Sequence, residues 1–178
     1  MSSPPRVLHF VTGGFSGATQ VALDLVRAGQ ASGRSEPLLV LRRKRQTDPR
    51  RIEALREQGV PVETVPGWSH LATIAALLRL LRRWRPDVLV AHGFPEHLLG
   101  RWAGLAAGVP HLVQVEHNSR ERYSPWRLAQ ARFLAQRSDR IVGCSEGVRQ
   151  SLLALGMPPS KTVAISNGIR LEPFAEAE

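Results

Sequence analysis

The residues best suited to chemistry in this chain are small or polar groups placed where apolar runs end. Gly13-Gly14-Phe15-Ser16-Gly17 follows the run Arg6–Val11 and precedes a stretch of helical periodicity. Glycines let backbone amides approach a ligand closely, and the helix that follows presents unpaired N–H groups and a positive dipole end. Gly13, Gly14, Ser16 and Gly17 are therefore candidate contacts for an anionic group, against the alternative of a tight turn that binds nothing. The loop has neither the G-x-G-x-x-G dinucleotide fingerprint nor a G-K-[ST] phosphate loop, so neither nicotinamide binding nor ATP hydrolysis is signalled.

His92 and His117 each end an apolar run, where an imidazole can project past a sheet edge and hydrogen-bond a hydroxyl or phosphate; a packed or solvent-facing ring is the plainer reading of either. Glu116 is a candidate carboxylate base, but alternation along a strand would send it and His117 to opposite faces, and His117 is favoured. Asn118 follows it. Ser145, before Glu146-Gly147, suits a helix N-cap or a ligand contact, and Asn167-Gly168 forms a further turn. No metal is expected: Cys144 is the only cysteine, and Asp24, Asp48, Asp87 and Asp139 form no D-x-D pair.

The elements that must position these groups are short β-rich runs alternating with longer helical segments, the pattern of a Rossmann-like, doubly wound parallel α/β sheet of about seven strands. Strands are expected at Arg6–Val11, Pro37–Arg42, Val62–Val65, Asp87–Ala91, His111–Glu116, Arg140–Gly143 and Thr162–Ile165. Helices are expected near Ala18–Ala31, Pro49–Gln58, Leu71–Trp84, Glu96–Ala107, Trp126–Gln136 and Glu146–Leu155. Ligands of such sheets bind beyond the carboxyl ends of the strands, and every candidate above falls on that rim.

The 178 residues suit a single domain, and a 43% hydrophobic content closes a core without disulfides. With one cysteine and no basic, apolar leader, a cytoplasmic setting is expected. The net charge of +9 favours an anionic partner. The helix Leu71–Arg85, with Trp84 and the arginine-rich stretch Arg120–Arg140, is a candidate contact for an anionic membrane surface, although basic helix ends also suit the macrodipole. The stretch Arg42-Arg43-Lys44-Arg45 reads as a mobile loop. Two other function classes remain: a non-catalytic basic domain for nucleic acid or anionic lipid, which no nucleic-acid motif supports, and an NADP-dependent oxidoreductase half using Arg42 and Arg43, which the missing fingerprint disfavours.

In order and spacing these pieces resemble the amino-terminal domain of family 4 glycosyltransferases of the GT-B type. The resemblance rests on the Gly13–Gly17 loop, on Arg85-Pro-Asp-Val-Leu-Val-Ala-His92, on Val115-Glu-His117, on Ile141-Val-Gly-Cys-Ser-Glu146, and on Val163-Ala-Ile-Ser-Asn167-Gly-Ile169 with Phe174. It implies one half of a two-domain enzyme. In that half the glycine loop lies by donor phosphates and acceptor, His117 contacts the donor sugar, His92 lines the acceptor side, and Ser145 and Asn167-Gly168 lie near the cleft floor. It also implies retention of configuration without a metal or other cofactor. The partners would be a nucleotide-sugar and an envelope glycan or lipid-linked acceptor. A carboxyl-terminal nucleotide-sugar domain with an E-x7-E motif would complete the site, and this chain is expected to lack it and to be inactive alone. Thr19-Gln20 replaces an acidic residue common in the family, and Arg170 stands where aspartate is common.

Overall fold

The computed structural model describes residues 3–119 and 123–168, so Arg120, Ile169, Arg170 and Phe174 lie outside the described residues. Seven strands form one parallel sheet: β1 (Arg6–Thr12), β2 (Glu36–Arg42), β3 (Val62–Val65), β4 (Val88–His92), β5 (His111–Glu116), β6 (Arg140–Gly143) and β7 (Thr162–Ala164). Their order is β3-β2-β1-β4-β5-β6-β7, so the chain reverses direction of travel between β1 and β4, the point at which open α/β sheets form a crevice. The expected strands and helices are all present, with ends shifted by at most one residue.

Local chemistry fixes the helix boundaries. The connecting helices are α1 (Gly17–Ser32), α2 (Pro49–Glu57), α3 (His70–Trp84), α4 (Glu96–Ala107), α5 (Pro125–Gln136) and α6 (Glu146–Ala154). Asp48, Ser69, Ser124 and Ser145 cap α2, α3, α5 and α6, each side chain accepting an amide N–H of the first turn. The start of α1 differs: Ser16 is its N-cap residue but makes no side-chain capping bond.

Leu8, Phe10, Val40 and Leu89 pack with Leu77, Leu81 and Leu99 of α3 and α4, whereas Val11, Leu39 and Leu41 pack with Ala22, Leu23 and Val26 of α1 and with α2. Alternation along β1 and β2 thus feeds two separate cores, one on each face of the sheet. Among the described residues no helix is long and apolar enough to cross a membrane. Trp84, a candidate membrane contact, is half-buried against the α3 core, and the Arg6 guanidinium lies 4.3 Å from its ring centroid. The exposed tryptophans are Trp68, just before the N-cap of α3, and Trp126, in the first turn of α5.

One core position runs against the rest. Gln114 in β5 is fully buried, and neither its amide nitrogen nor its amide oxygen has a hydrogen-bond partner among the described residues. A buried unsatisfied amide costs about 1–3 kcal/mol. Gln114→Met, nearly equal in volume, is therefore expected to stabilise the fold by about 1 kcal/mol, or roughly 2–4 °C in Tm for a chain of this size. Thermal denaturation checks it, and a lower Tm would mean the amide is satisfied in solution.

Candidate active site

A cleft of about 1020 Å³ opens at the carboxyl edge of the sheet, between β1 and β4. Its lining brings together Ser16 and Gly17, His92, His117 and Asn118, and Asn167 and Gly168, from four widely separated stretches of sequence. Gln20, Asp24, Glu96 and Glu116 join them.

The histidines are linked by register. His9 pairs with Val90 across β1 and β4, so His92 stands two residues further along on the same face; His92 pairs with Val115, so His117 stands two further again. The three rings form a diagonal staircase from the middle of β1 to the cleft. His9 Nδ1 lies 3.1 Å from His92 Nε2, and His92 Nδ1 lies 3.3 Å from His117 Nε2. Ring centroids are 5.4 and 5.5 Å apart with interplanar angles of 31° and 18°. The nitrogens therefore lie between the centroids: the rings meet edge to edge through N–H···N bonds rather than face to face.

Burial holds this chain neutral. It lowers His9 to about 4, holds His92 well below its ordinary value with a further push from His9 and His117, and lowers His117. Neutral rings in series have coupled tautomers. If His9 Nδ1 donates to His92, then His92 Nδ1 donates to His117 Nε2, and His117 keeps its proton on Nδ1; the opposite polarity leaves Nδ1 a bare acceptor. Either way the inner rings decide what His117 offers a ligand. His117 is also tied through its backbone, whose N–H donates to Glu116 Oε1 at 3.1 Å.

Behind the cleft, α4 carries an unusual polar load. Arg101 is fully buried; its Nε donates to the His97 carbonyl, one terminal nitrogen to Ser138 Oγ and the other to His97 Nδ1 at 2.7 Å. A guanidinium can only donate, so His97 carries its proton on Nε2 and gives it to Tyr123 Oη, 2.7 Å away. Burial brings Arg101 down to about 10, with Tyr123 and Glu116 opposing the shift, so it stays charged at neutral pH. At the start of α4, Glu96 is 1% exposed and its Oε1 lies 3.2 Å from Arg42 and 3.7 Å from Lys44.

Several sequence expectations need correction. Gly13 does not line the cleft: it is buried, its N–H donates to the Arg42 carbonyl, and an added Cβ would lie 2.7 Å from that oxygen, so this glycine is required by packing. Gly14 is also outside the lining, with its N–H directed to Thr12 Oγ1. Ser145 is spent on capping α6 and is absent from the lining. His92 borders the cleft but has no exposed surface and both ring nitrogens engaged, so it acts on a ligand only through His117. Glu116 and His117 part as alternation predicts: the Glu116 carboxylate lies on the α4 side, 3.9 Å from His97 Nε2, while the His117 ring stands with His92, although both residues border the cleft. Arg42 belongs to a strand and an ion pair, not to a mobile loop or a free phosphate site. His9, Glu96, His97 and Arg101 were not singled out; the only trace of His9 in the sequence is a polar ring inside an apolar strand.

Comparison with known proteins places this geometry. The chain resembles the crystal structure of Anabaena Alr3699/HepE in complex with UDP, with a TM-score of 0.76 at 19% identity over 96% of this chain and 46% of that one. It likewise resembles a glycosyltransferase from Rickettsia africae ESF-5, with a TM-score of 0.78 at 12% identity over 99% and 46%. MurG of Acinetobacter baumannii gives 0.65 at 16% identity over 93% and 46%. The chain thus spans less than half the length of these solved structures, and the likeness is one of fold. Among curated proteins no sequence matches. Residues 16–168, which include both the cleft lining from Ser16 onward and all six strands after β1, match the family described as Glycosyl transferase 4-like domain. The chain belongs to the glycosyl transferase 4-like domain family.

Proposed function

We propose that this domain forms the acceptor wall and part of the sugar site of a retaining, metal-independent glycosyltransferase. The enzyme would move a sugar from a nucleotide-sugar to an envelope glycan or lipid-linked acceptor at the cytoplasmic face of a membrane. One observation carries the reading: a neutral imidazole, tethered through two buried rings, meets the uncapped amino end of α1 in one cleft.

Each part suits glycosyl transfer. A departing nucleoside diphosphate gains negative charge at its bridging oxygen, and the α1 amides and the Ser16 hydroxyl offer donors already in place. A sugar must be fixed through its hydroxyls, for which His117, Asn118 and Asn167 supply hydrogen-bonding groups. No D-x-D pair provides a divalent-ion clamp, so the diphosphate is neutralised by dipoles here and by basic groups of a second domain. That the similar HepE structures contain UDP and UDP-glucose supports a nucleotide-sugar donor.

The test is donor turnover by the natural full-length protein, assayed for nucleotide release against a panel of nucleotide-sugars with EDTA present and lipid-linked or glycan acceptors. Acceptor-dependent release with retained anomeric configuration is expected. The absence of both binding and release across the panel would reject the reading.

A further inference from the structure

A second concavity of about 870 Å³ lies at the same sheet edge, lined by Arg42, Arg43, Lys44, Arg45, Gly67 and Trp68 among others. Its size is that of a small-ligand site. It shares a wall with the histidine cleft: the Arg42–Glu96 ion pair has Arg42 on the groove side and Glu96 on the cleft side.

The groove is built. An added Cβ at Gly67 would lie within bonding distance of the Arg43 carbonyl, so only glycine lets the loops after β2 and β3 touch. Arg43 N–H donates to the Val65 carbonyl, Arg42 donates to the Gly67 carbonyl, and Lys44 N–H donates to Thr47 Oγ1. Against this fixed frame stand groups the fold does not use. Arg43 and Arg45 are exposed and make no ion pair among the described residues, and the described lining contains no carboxylate. The Arg42 side chain is 8% exposed, and its Nε has no partner among the described residues. Trp68 is 84% exposed, an indole held open to water beside guanidinium groups.

We propose that this groove is a subsite for an anionic saccharide, whose ring packs on the Trp68 indole while its carboxylate or phosphate is held by Arg43 and Arg45. Guanidinium forks match either anion in a bidentate way, and the aliphatic face of a sugar ring suits an aromatic plane. The proposal rests on the transferase reading in one respect only: the shared wall makes the groove the place for a charged acceptor residue next to the one that is glycosylated. Its chemistry stands apart from turnover, so a failed transfer assay leaves it intact and a failed binding assay leaves the transferase reading intact.

The test follows the Trp68 indole N–H resonance, assigned through Trp68→Phe, during titration with tetragalacturonate, maltotetraose, inorganic phosphate and phosphatidylglycerol vesicles. Saturable shifts by tetragalacturonate are expected, at least 10-fold tighter than by maltotetraose or phosphate and weakened by salt. Trp68→Ala and the pair Arg43→Gln with Arg45→Gln should each weaken binding by about 10-fold or more, read by calorimetry. Trp126→Ala, outside the groove, should not change it. All of these substituted side chains are exposed, so folding is not at risk. Equal response to phosphate would reduce the groove to a bare anion site. Response to vesicles but not to tetragalacturonate would make it a lipid contact. Either result, or none at all, overturns the proposal.

Discussion

In the full-length enzyme of the proposed function, His117→Ala is expected to lower kcat/KM for glycosyl transfer by about 100-fold or more while leaving the far-ultraviolet circular dichroism and Tm nearly unchanged. The size follows from the role: a group that fixes the reacting sugar through one oriented hydrogen bond contributes to both orientation and charge stabilisation, and either alone is worth such a factor. The fold should tolerate the change because His117 lies past the end of β5 and is half-buried, so its loss opens the cleft rather than a cavity in the core. His9 separates this account from simple loss of a side chain. It sits two imidazoles away, yet its Nδ1 sets the tautomer of His92 and through it that of His117. His9→Leu should lower transfer by about 10-fold, whereas His9→Asn, which can place an amide group near the Nδ1 position, should restore most of it. Long-range 15N–1H spectra of the His117 ring, comparing the two variants, read the tautomer directly. Wild-type turnover by His117→Ala would remove that ring from the site.

How much of this was legible in the sequence depends on whether a signal was local. Strands and helices were, because each boundary is written by a neighbouring residue: Gly33 and Gly108 terminate α1 and α4 in the left-handed region, and Asp48-Pro49 starts α2. The rim was legible too, since a parallel sheet sends every strand-to-helix turn to one edge, and Gly17, His92, His117, Asn167 and Gly168 do meet there. What escaped was what register decides. His9 lies mid-strand with no turn beside it, and nothing local says that β4 pairs with it so as to put His92 within hydrogen-bonding distance. Gly13 carried the right residue type for the wrong reason, because a glycine required by the Arg42 carbonyl looks the same in sequence as one required by a ligand.

The load on α4 shows the same limit. Its sequence reads as an ordinary amphipathic helix, yet Glu96, His97 and Arg101 are all buried, because α4 is packed between α3 and α5 and has little free face. Polar groups in such a place must be paired, and they are, by Arg42, Lys44, Tyr123 and Ser138 from other elements. The cleft floor is therefore polar and rigid at once, with charge supplied from behind rather than from solvent.

That burial also makes the fold acid-sensitive, and the sign is fixed by the histidines. His9, His92, His97 and His117 all have folded pKa values below the ordinary 6.5, burial being the first cause in each case. Below pH 6.5 the unfolded chain binds protons that the folded chain does not, so stability falls as pH falls through this window. For His9, whose folded value is about 4, the loss amounts to about 3 kcal/mol by pH 4, most of it already present at pH 5. His92 and His97 add to it with the same sign. Asp139 and Glu146 have lowered pKa values and also weaken the fold on acidification, but only as pH falls below the ordinary carboxylate range, so the histidines govern the interval from pH 7 to pH 5. Against a total stability of about 5–15 kcal/mol this is a large fraction. Urea denaturation at pH 7, 6 and 5 should show a steep decline in unfolding free energy, and His9→Leu should flatten it. Protonation would also break the staircase chemically, since a doubly protonated His92 has no lone pair to accept from either neighbour, but the fold holds His92 well below its ordinary value, so molecules that remain folded should keep transfer activity through the interval in which stability declines and lose it only at lower pH. A stability profile that stays level between pH 7 and 5 would mean that the three rings are not held neutral by the fold.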